Sequence, residues 1–228
     1  MLELYIANKN YSSWSLRPWL LLQQLEIPFR ENLVPFRSDG SGNGFDSFSP
    51  TARVPCLHDG ETVVWDSLAI TEYLAEHVPQ VWPADARPRA WARCASAEMH
   101  SGFQALRDIC GMNCGIRVRL KSRPDALEKD LARIDVLWSE GLKRFGGPFL
   151  AGPVFTAADA FFAPVVFRLQ TYQLSLSPAC NEYAARTLDL PGMREWYAAA
   201  LAEPWRDSAH EEEVQRVGEA VADFRSGA

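Results

Sequence analysis

The sequence predicts an α+β half built on a small mixed sheet, followed by an all-α half. Three observations lead there. Residues 1–80 alternate strand-like and helix-like patterns in the order β-α-β and then β-β-α. Beyond residue 86 apolar residues recur at every third or fourth position, and no stretch reads convincingly as a strand. Pro79, Pro83 and Pro88 bracket the junction, which divides the chain into residues 1–80, a linker at 81–86, and residues 87–228.

The elements follow in order. Residues 2–7 read as a strand and 13–25 as a helix, with a second strand at 28–34. Residues 35–49 are rich in Gly and Ser and predict an irregular loop with little helix. Residues 54–58 and 62–65 flank Asp59-Gly60, a dipeptide favoured in tight hairpin turns. Asp66 and Ser67 then open a helix with Leu68, Thr71, Leu74 and Ala75 at helical spacing. In the second half, Asp85-Ala86-Arg87-Pro88 marks a helix entry. Trp91, Ala95, Met99, Phe103 and Leu106 give the following segment one buried face. Ser122-Arg123-Pro124-Asp125 and Thr156-Ala157-Ala158-Asp159 read as capping boxes. The second opens residues 160–172, apolar nearly all round and therefore a central helix, with a kink expected at Pro164. The charged stretch from Glu211 predicts a last helix with a frayed tail.

Composition narrows the function. The chain has 228 residues, is 47% hydrophobic with eight tryptophans, and can fill a substantial core. A net charge of −6 without a dense Lys/Arg cluster points away from nucleic acid. No apolar run approaches the ~20 residues of a membrane span. The start, Met1-Leu2-Glu3-Leu4, has no basic segment leading an apolar core, and five cysteines follow no disulfide-framework spacing. A cytoplasmic protein is expected. The four histidines form no metal pattern, and the isolated pair Cys110 and Cys114 gives too few ligands for a zinc site, so no metal is expected and that cysteine pair reads as structural.

The chemistry starts at Asn10-Tyr11-Ser12-Ser13-Trp14-Ser15-Leu16-Arg17, between the first strand and the first helix. Hydroxyls at a helix start stand beside free backbone N–H groups, a place suited to an anion such as a thiolate. Further on come Arg53-Val54-Pro55-Cys56 and Trp65-Asp66-Ser67. A serine turn, Val-Pro before a strand, a hairpin, and an acidic-Ser pair opening a helix occur in one order. This resembles the serine-type cytosolic glutathione transferase superfamily, over most of the chain. The first motif is closest to the zeta-like pattern, with Trp14 replacing the cysteine of zeta-type isomerases.

The resemblance implies a thioredoxin-like first domain and an all-α second domain in a homodimer. It implies glutathione as co-substrate and a small electrophile as its acceptor. Ser12 matches the usual catalytic serine and Ser13 the next; the loop before them looks longer than in that class, so a slip of one residue gives the role to Ser13. Val54 offers its backbone to the cysteinyl part of glutathione, next to a cis Pro55. Asp66 and Ser67 hold the γ-glutamyl end, with Arg37 and Arg53 as candidates for the glycyl carboxylate. Tyr11, Phe103, Arg107 and Met112 are candidates for the electrophile site. Conjugation is the expected activity. Cis–trans isomerisation of maleyl-type acids and a non-catalytic interaction module are the alternatives.

Overall fold

The computed structural model describes residues 1–37 and 43–225. A four-stranded sheet runs in the order β2-β1-β3-β4, with β1 (Leu2–Ile6), β2 (Phe29–Leu33), β3 (Cys56–Asp59) and β4 (Thr62–Trp65). β1 pairs parallel with β2 and antiparallel with β3, and β3 pairs antiparallel with β4. This is the mixed, thioredoxin-like sheet. Alternation in Leu2-Glu3-Leu4-Tyr5-Ile6 sends Leu4 and Ile6 into the core. Asp59 pairs with Thr62, so the hairpin turns on Gly60-Glu61, one residue later than Asp59-Gly60 suggests. Gly60 takes the positive φ of +59° that this turn needs.

Helix α1 (Ser13–Gln24) connects β1 to β2 and buries Leu16, Trp19, Leu20, Leu21 and Leu22. Helix α2 (Ser67–His77) follows β4, its first turn capped by Asp66, whose carboxylate accepts the Leu68 N–H at 2.8 Å. The loop after β2 contains a 3₁₀ turn at Phe45–Ser47; its residues 38–42, part of the expected irregular loop, lie outside the described residues.

The second half comprises α3 (Ala86–Ser101), α4 (Gln104–Ile109), β5 (Ile116–Leu120), α5 (Asp125–Phe145), α6 (Ala157–Thr171), α7 (Pro178–Leu188), α8 (Pro191–Ala202), α9 (Ser208–Val217) and β6 (Gly218–Asp223). Two expectations are corrected. The second half is not purely helical: β5 and β6 form an antiparallel pair. Ile116-Arg117-Val118-Arg119-Leu120 alternates, with Ile116 and Val118 buried, but its partner lies about a hundred residues away and no local hairpin announces it. The segment from Glu211 is therefore a helix that turns into a strand, not a frayed helical tail. The second correction is that Ser122 caps nothing: Pro124 itself takes the cap position, with ψ 153° and no side-chain cap bond. The residue before a proline is pushed toward extended backbone, so the helix starts after it.

Thr156 and Asp159 do form the expected capping box. Asp159 is fully buried and receives four bonds: from the N–H of Leu150 (3.0 Å), the N–H (2.9 Å) and hydroxyl (3.3 Å) of Thr156, and the Tyr183 hydroxyl (3.0 Å). Helix α6 is buried along nearly its whole length, continues past Pro164 to Thr171, and packs on α1 and α3. It joins the two halves. One core lies between the sheet, α1 and α8, where Trp19 meets Trp196 edge-on at 5.0 Å; the other is within the helical half around Trp138, Phe162 and Tyr183. Among the described residues no helix is long and apolar enough to cross a membrane.

Candidate active site

The loop between β1 and α1 is buried and tied to the helical half. Glu203 accepts the N–H groups of Lys9 (2.5 Å) and Asn10 (3.3 Å). The Asn10 side chain donates to Asn113 Oδ1 at 2.8 Å and accepts the Gly115 N–H at 2.9 Å. These bonds satisfy polar groups that burial would otherwise leave unpaired, and they fix where α1 begins. Ser12 takes the cap position, and the N–H groups of Trp14 and Ser15 have no acceptor among the described residues.

The two serines differ. Ser12 Oγ donates to Ser15 Oγ at 2.7 Å, and Ser15 Oγ accepts the Ala7 N–H at 3.4 Å. Ser13 Oγ accepts from Arg168 Nη2 at 3.3 Å, which leaves its own O–H undirected among the described residues. Arg168 lies on α6 and also donates to the Cys110 carbonyl. Two more arginines stand nearby. Arg17, fully buried, donates to Ser67 Oγ at 3.3 Å and lies 4.1 Å over the Trp14 ring. Arg107 lies 4.8 Å over the same ring and donates to the carbonyls of Gly102 and Met99. None of the three forms an ion pair among the described residues. Burial, then the charges of Arg107 and Arg168, push Arg17 well below its ordinary range. Burial, then Arg168, bring Arg107 down to about 10. A wall of positive charge that lacks carboxylate partners favours an anion in front of it.

A cleft of about 400 Å³ opens in front of this wall. Tyr11, Ser12, Ser13, Trp14, Arg107, Met112 and Arg168 line it, together with Phe36, His210 and Glu213. A groove of about 270 Å³ adjoins it, lined by Arg53, Val54, Pro55, Trp65, Asp66 and Ser67; Trp14, Arg53 and Val54 border both. The Val54–Pro55 peptide bond is cis. Val54 lies outside the β3 ladder, and both its backbone groups are without a partner among the described residues. Asp66 Oδ2 stands 3.6 Å from His100 Nε2.

Two candidate residues sit elsewhere. Phe103 is buried at the start of α4 and packs into the helical core. Arg37 is exposed, its N–H bonded to Asn43 Oδ1 at 2.8 Å, and it borders neither cavity. Cys110 and Cys114 are buried thiols; burial pushes Cys110 up to about 12 and Cys114 higher still.

A clasp closes one side of the cleft. Tyr11 donates to Glu211 Oε1 at 2.6 Å, and Arg225 donates to Tyr11 Oη (3.3 Å), to Glu211 and to Asp223. Burial and then Glu211 raise the Tyr11 phenol above its usual range, so its proton stays on oxygen and is committed to Glu211. Phe36, Arg168, His210 and Glu213 were not among the candidates. Arg168 carried a signal: it is the one charge in an otherwise apolar stretch after Asp159. The others come from loops and α9 and carry none.

Two family models match the chain: the glutathione S-transferase N-terminal domain over residues 11–77 and the C-terminal domain over residues 97–199. The chain belongs to the glutathione S-transferase family. It is 27% identical over 202 residues to a probable maleylacetoacetate isomerase of Caenorhabditis elegans, covering 82% of this chain and 89% of that one. It is 29% identical over 169 residues to a zeta-class glutathione S-transferase of Euphorbia esula, covering 72% and 74%. Its fold matches a glutathione transferase homologue from Burkholderia solved with bound glutathione, at a TM-score of 0.66 and 23% identity over 87% of this chain and 97% of that one.

Proposed function

We propose that this transferase binds glutathione across the groove and the cleft and conjugates its thiolate to small electrophiles bearing an acidic group. The open backbone of Val54 beside the serine turn carries this reading. An extended peptide that pairs with Val54 in strand fashion brings its cysteine sulfur to the start of α1. Ser67, backed by the Arg17 guanidinium at 3.3 Å, suits the γ-glutamyl carboxylate, and Asp66 suits the ammonium group. Arg53 borders the groove and suits the glycyl carboxylate. Residues 1–80 thus supply the glutathione side, and residues 87–228, after the 81–86 linker, the electrophile side. Arg107 and Arg168 favour an acidic acceptor. They also favour a second reading, glutathione-dependent isomerisation of maleyl-type acids, which the names of the relatives support. All five cysteines are free, in keeping with a reducing cytoplasmic setting.

Titration calorimetry with glutathione tests this reading. The expected affinity is millimolar to micromolar, about 4–8 kcal/mol. An absence of binding heat and of retention on immobilised glutathione would leave a non-catalytic interaction module. A maleyl-type diacid incubated with catalytic glutathione separates the two chemistries: a trans product without loss of thiol marks the isomerase.

A dimer is expected as well. Trp65 is 44% exposed, and with Val63, Val64 and Leu68 it forms an apolar surface next to Asp66. Sedimentation equilibrium at micromolar concentration should give twice the chain mass of 25.6 kDa. A monomer there would overturn this expectation.

A further inference from the structure

His210 is more firmly held than a helix cap requires. Its Nδ1 lies 2.6 Å from Asp207 Oδ1. An ionised carboxylate only accepts, so Nδ1 carries a ring proton and Nε2 is the nitrogen left for exchange. The same oxygen accepts the His210 backbone N–H at 3.2 Å, and that bond alone suffices to cap α9. The imidazole also stacks on two aromatic rings, Tyr11 at 4.9 Å and 25° and Phe36 at 5.4 Å and 28°. Nε2 has no hydrogen-bond partner among the described residues, and the side chain, 30% exposed, lines the cleft that Ser12 and Ser13 also line. A ring held in one orientation, with Nδ1–H bonded to Asp207 and Nε2 without a partner among the described residues, can pass a proton through Nε2.

We propose that His210 is the acid that protonates the electrophile when the glutathione thiolate adds to a carbon–carbon double bond conjugated to a carbonyl. This rests on the transferase reading above. The sulfur–carbon bond forms at the β-carbon, and the π pair moves onto the α-carbon and carbonyl oxygen as an enolate. The Nε2–H bond of the imidazolium breaks, its proton goes to the enolate, and the neutral ring regains a proton from water. The thiol proton left to solvent when the thiolate formed, so the charges and protons balance without an oxidant or reductant. The charged groups around this step are Arg53, Arg107, Arg168 and Glu213 on the cleft, Asp207 at His210 Nδ1, and the Glu211–Arg225 pair behind Tyr11. Displacement of an aryl halide makes different demands, because chloride departs as an anion and takes no proton.

The acceptor therefore reports the role. Purified enzyme is assayed with glutathione and either benzoylacrylic acid, an enone that carries a carboxylate, or 4-chloro-3,5-dinitrobenzoic acid, an aryl halide that carries one. His210→Phe keeps the ring stack, and His210→Gln keeps a donor toward Asp207. Each should lower kcat/KM for the enone about tenfold or more beyond any loss with the aryl halide. Circular dichroism melting identifies a variant that has lost its fold, and the other variant then carries the comparison. Equal losses with both acceptors, or no loss with either, would overturn the proposal. A wild type that binds glutathione yet is inert toward both acceptors removes the transferase reading, and this inference with it.

Discussion

Asp159→Ala should cost the fold about 3 kcal/mol or more, because it strips a buried acceptor from several donors at once. The carboxylate is fully buried and is the shared acceptor for Leu150, Thr156 and Tyr183. Alanine leaves those donors in the interior, each unpaired one costing roughly 1–3 kcal/mol before relaxation. It also removes the side chain that reaches back to the cap of α6, the helix joining both halves. Small domains have about 5–15 kcal/mol in total, so the loss is a large share. Urea unfolding measures it, and a loss below about 1 kcal/mol would show that water or rearrangement replaces the carboxylate. Asp159→Asn should lose less and should change the pH dependence. Burial, against the pull of four donors, raises Asp159 from 3.8 to about 6. Between those values the folded state keeps a proton that the unfolded chain has lost. This group's contribution is thus fully present below 3.8 and is lost as pH rises through 6. The asparagine variant should lack that decline, worth about 3 kcal/mol for a shift of roughly two units.

Ser13→Ala should lower the conjugation rate at neutral pH by about ten- to hundredfold. A free thiol with pKa near 8.5 is only a few per cent thiolate at neutral pH. Making it mostly thiolate takes about 2.7 kcal/mol. One hydrogen bond to a charged sulfur gives about 1.5–3 kcal/mol, and a helix start adds about 0.3–1. The two together suffice without a general base. The resemblance favours Ser12, but the hydrogen bonding favours Ser13. Ser12 spends its proton on Ser15, whereas Ser13 receives a bond from Arg168 and keeps its proton for the sulfur. The guanidinium also polarises that hydroxyl. With glutathione held by its ends, as proposed, its dissociation constant should change little, and raising the pH should partly restore the rate. The ultraviolet thiolate band of the binary complex checks the cause. If Ser12→Ala abolishes the band and Ser13→Ala spares it, the resemblance has the register right and the hydroxyl assignment is wrong.

What was legible in the chain was local. The serine turn, the hairpin, Asp66 as a cap and the Thr156–Asp159 box are each written within a few residues, where one side chain meets the backbone beside it. The hairpin was still off by one, because Asp59 can pair as readily as it can turn. What stayed hidden depends on partners far apart in sequence. β5 meets β6 across about a hundred residues, and Arg168 reaches Ser13 across 155. The clustering of Arg17, Arg107 and Arg168 reflects the packing of α1, α4 and α6, which no spacing encodes. Phe103 shows the opposite error: an aromatic residue at helical spacing was a site candidate and packs into the core.

The clasp on Tyr11 also orders events in time. Tyr11 and Glu211 are 200 positions apart, and Arg225 is 214 from Tyr11. A ribosome releases the serine turn early and the clasp late. The sheet, α1 and much of the helical half can assemble while the end of α9 is still in the tunnel, yet the cleft then lacks a wall and Tyr11 lacks its acceptor. A nascent chain can therefore hold the groove at Val54 before it holds the whole cleft. The cleft gains that wall only when residue 225 emerges.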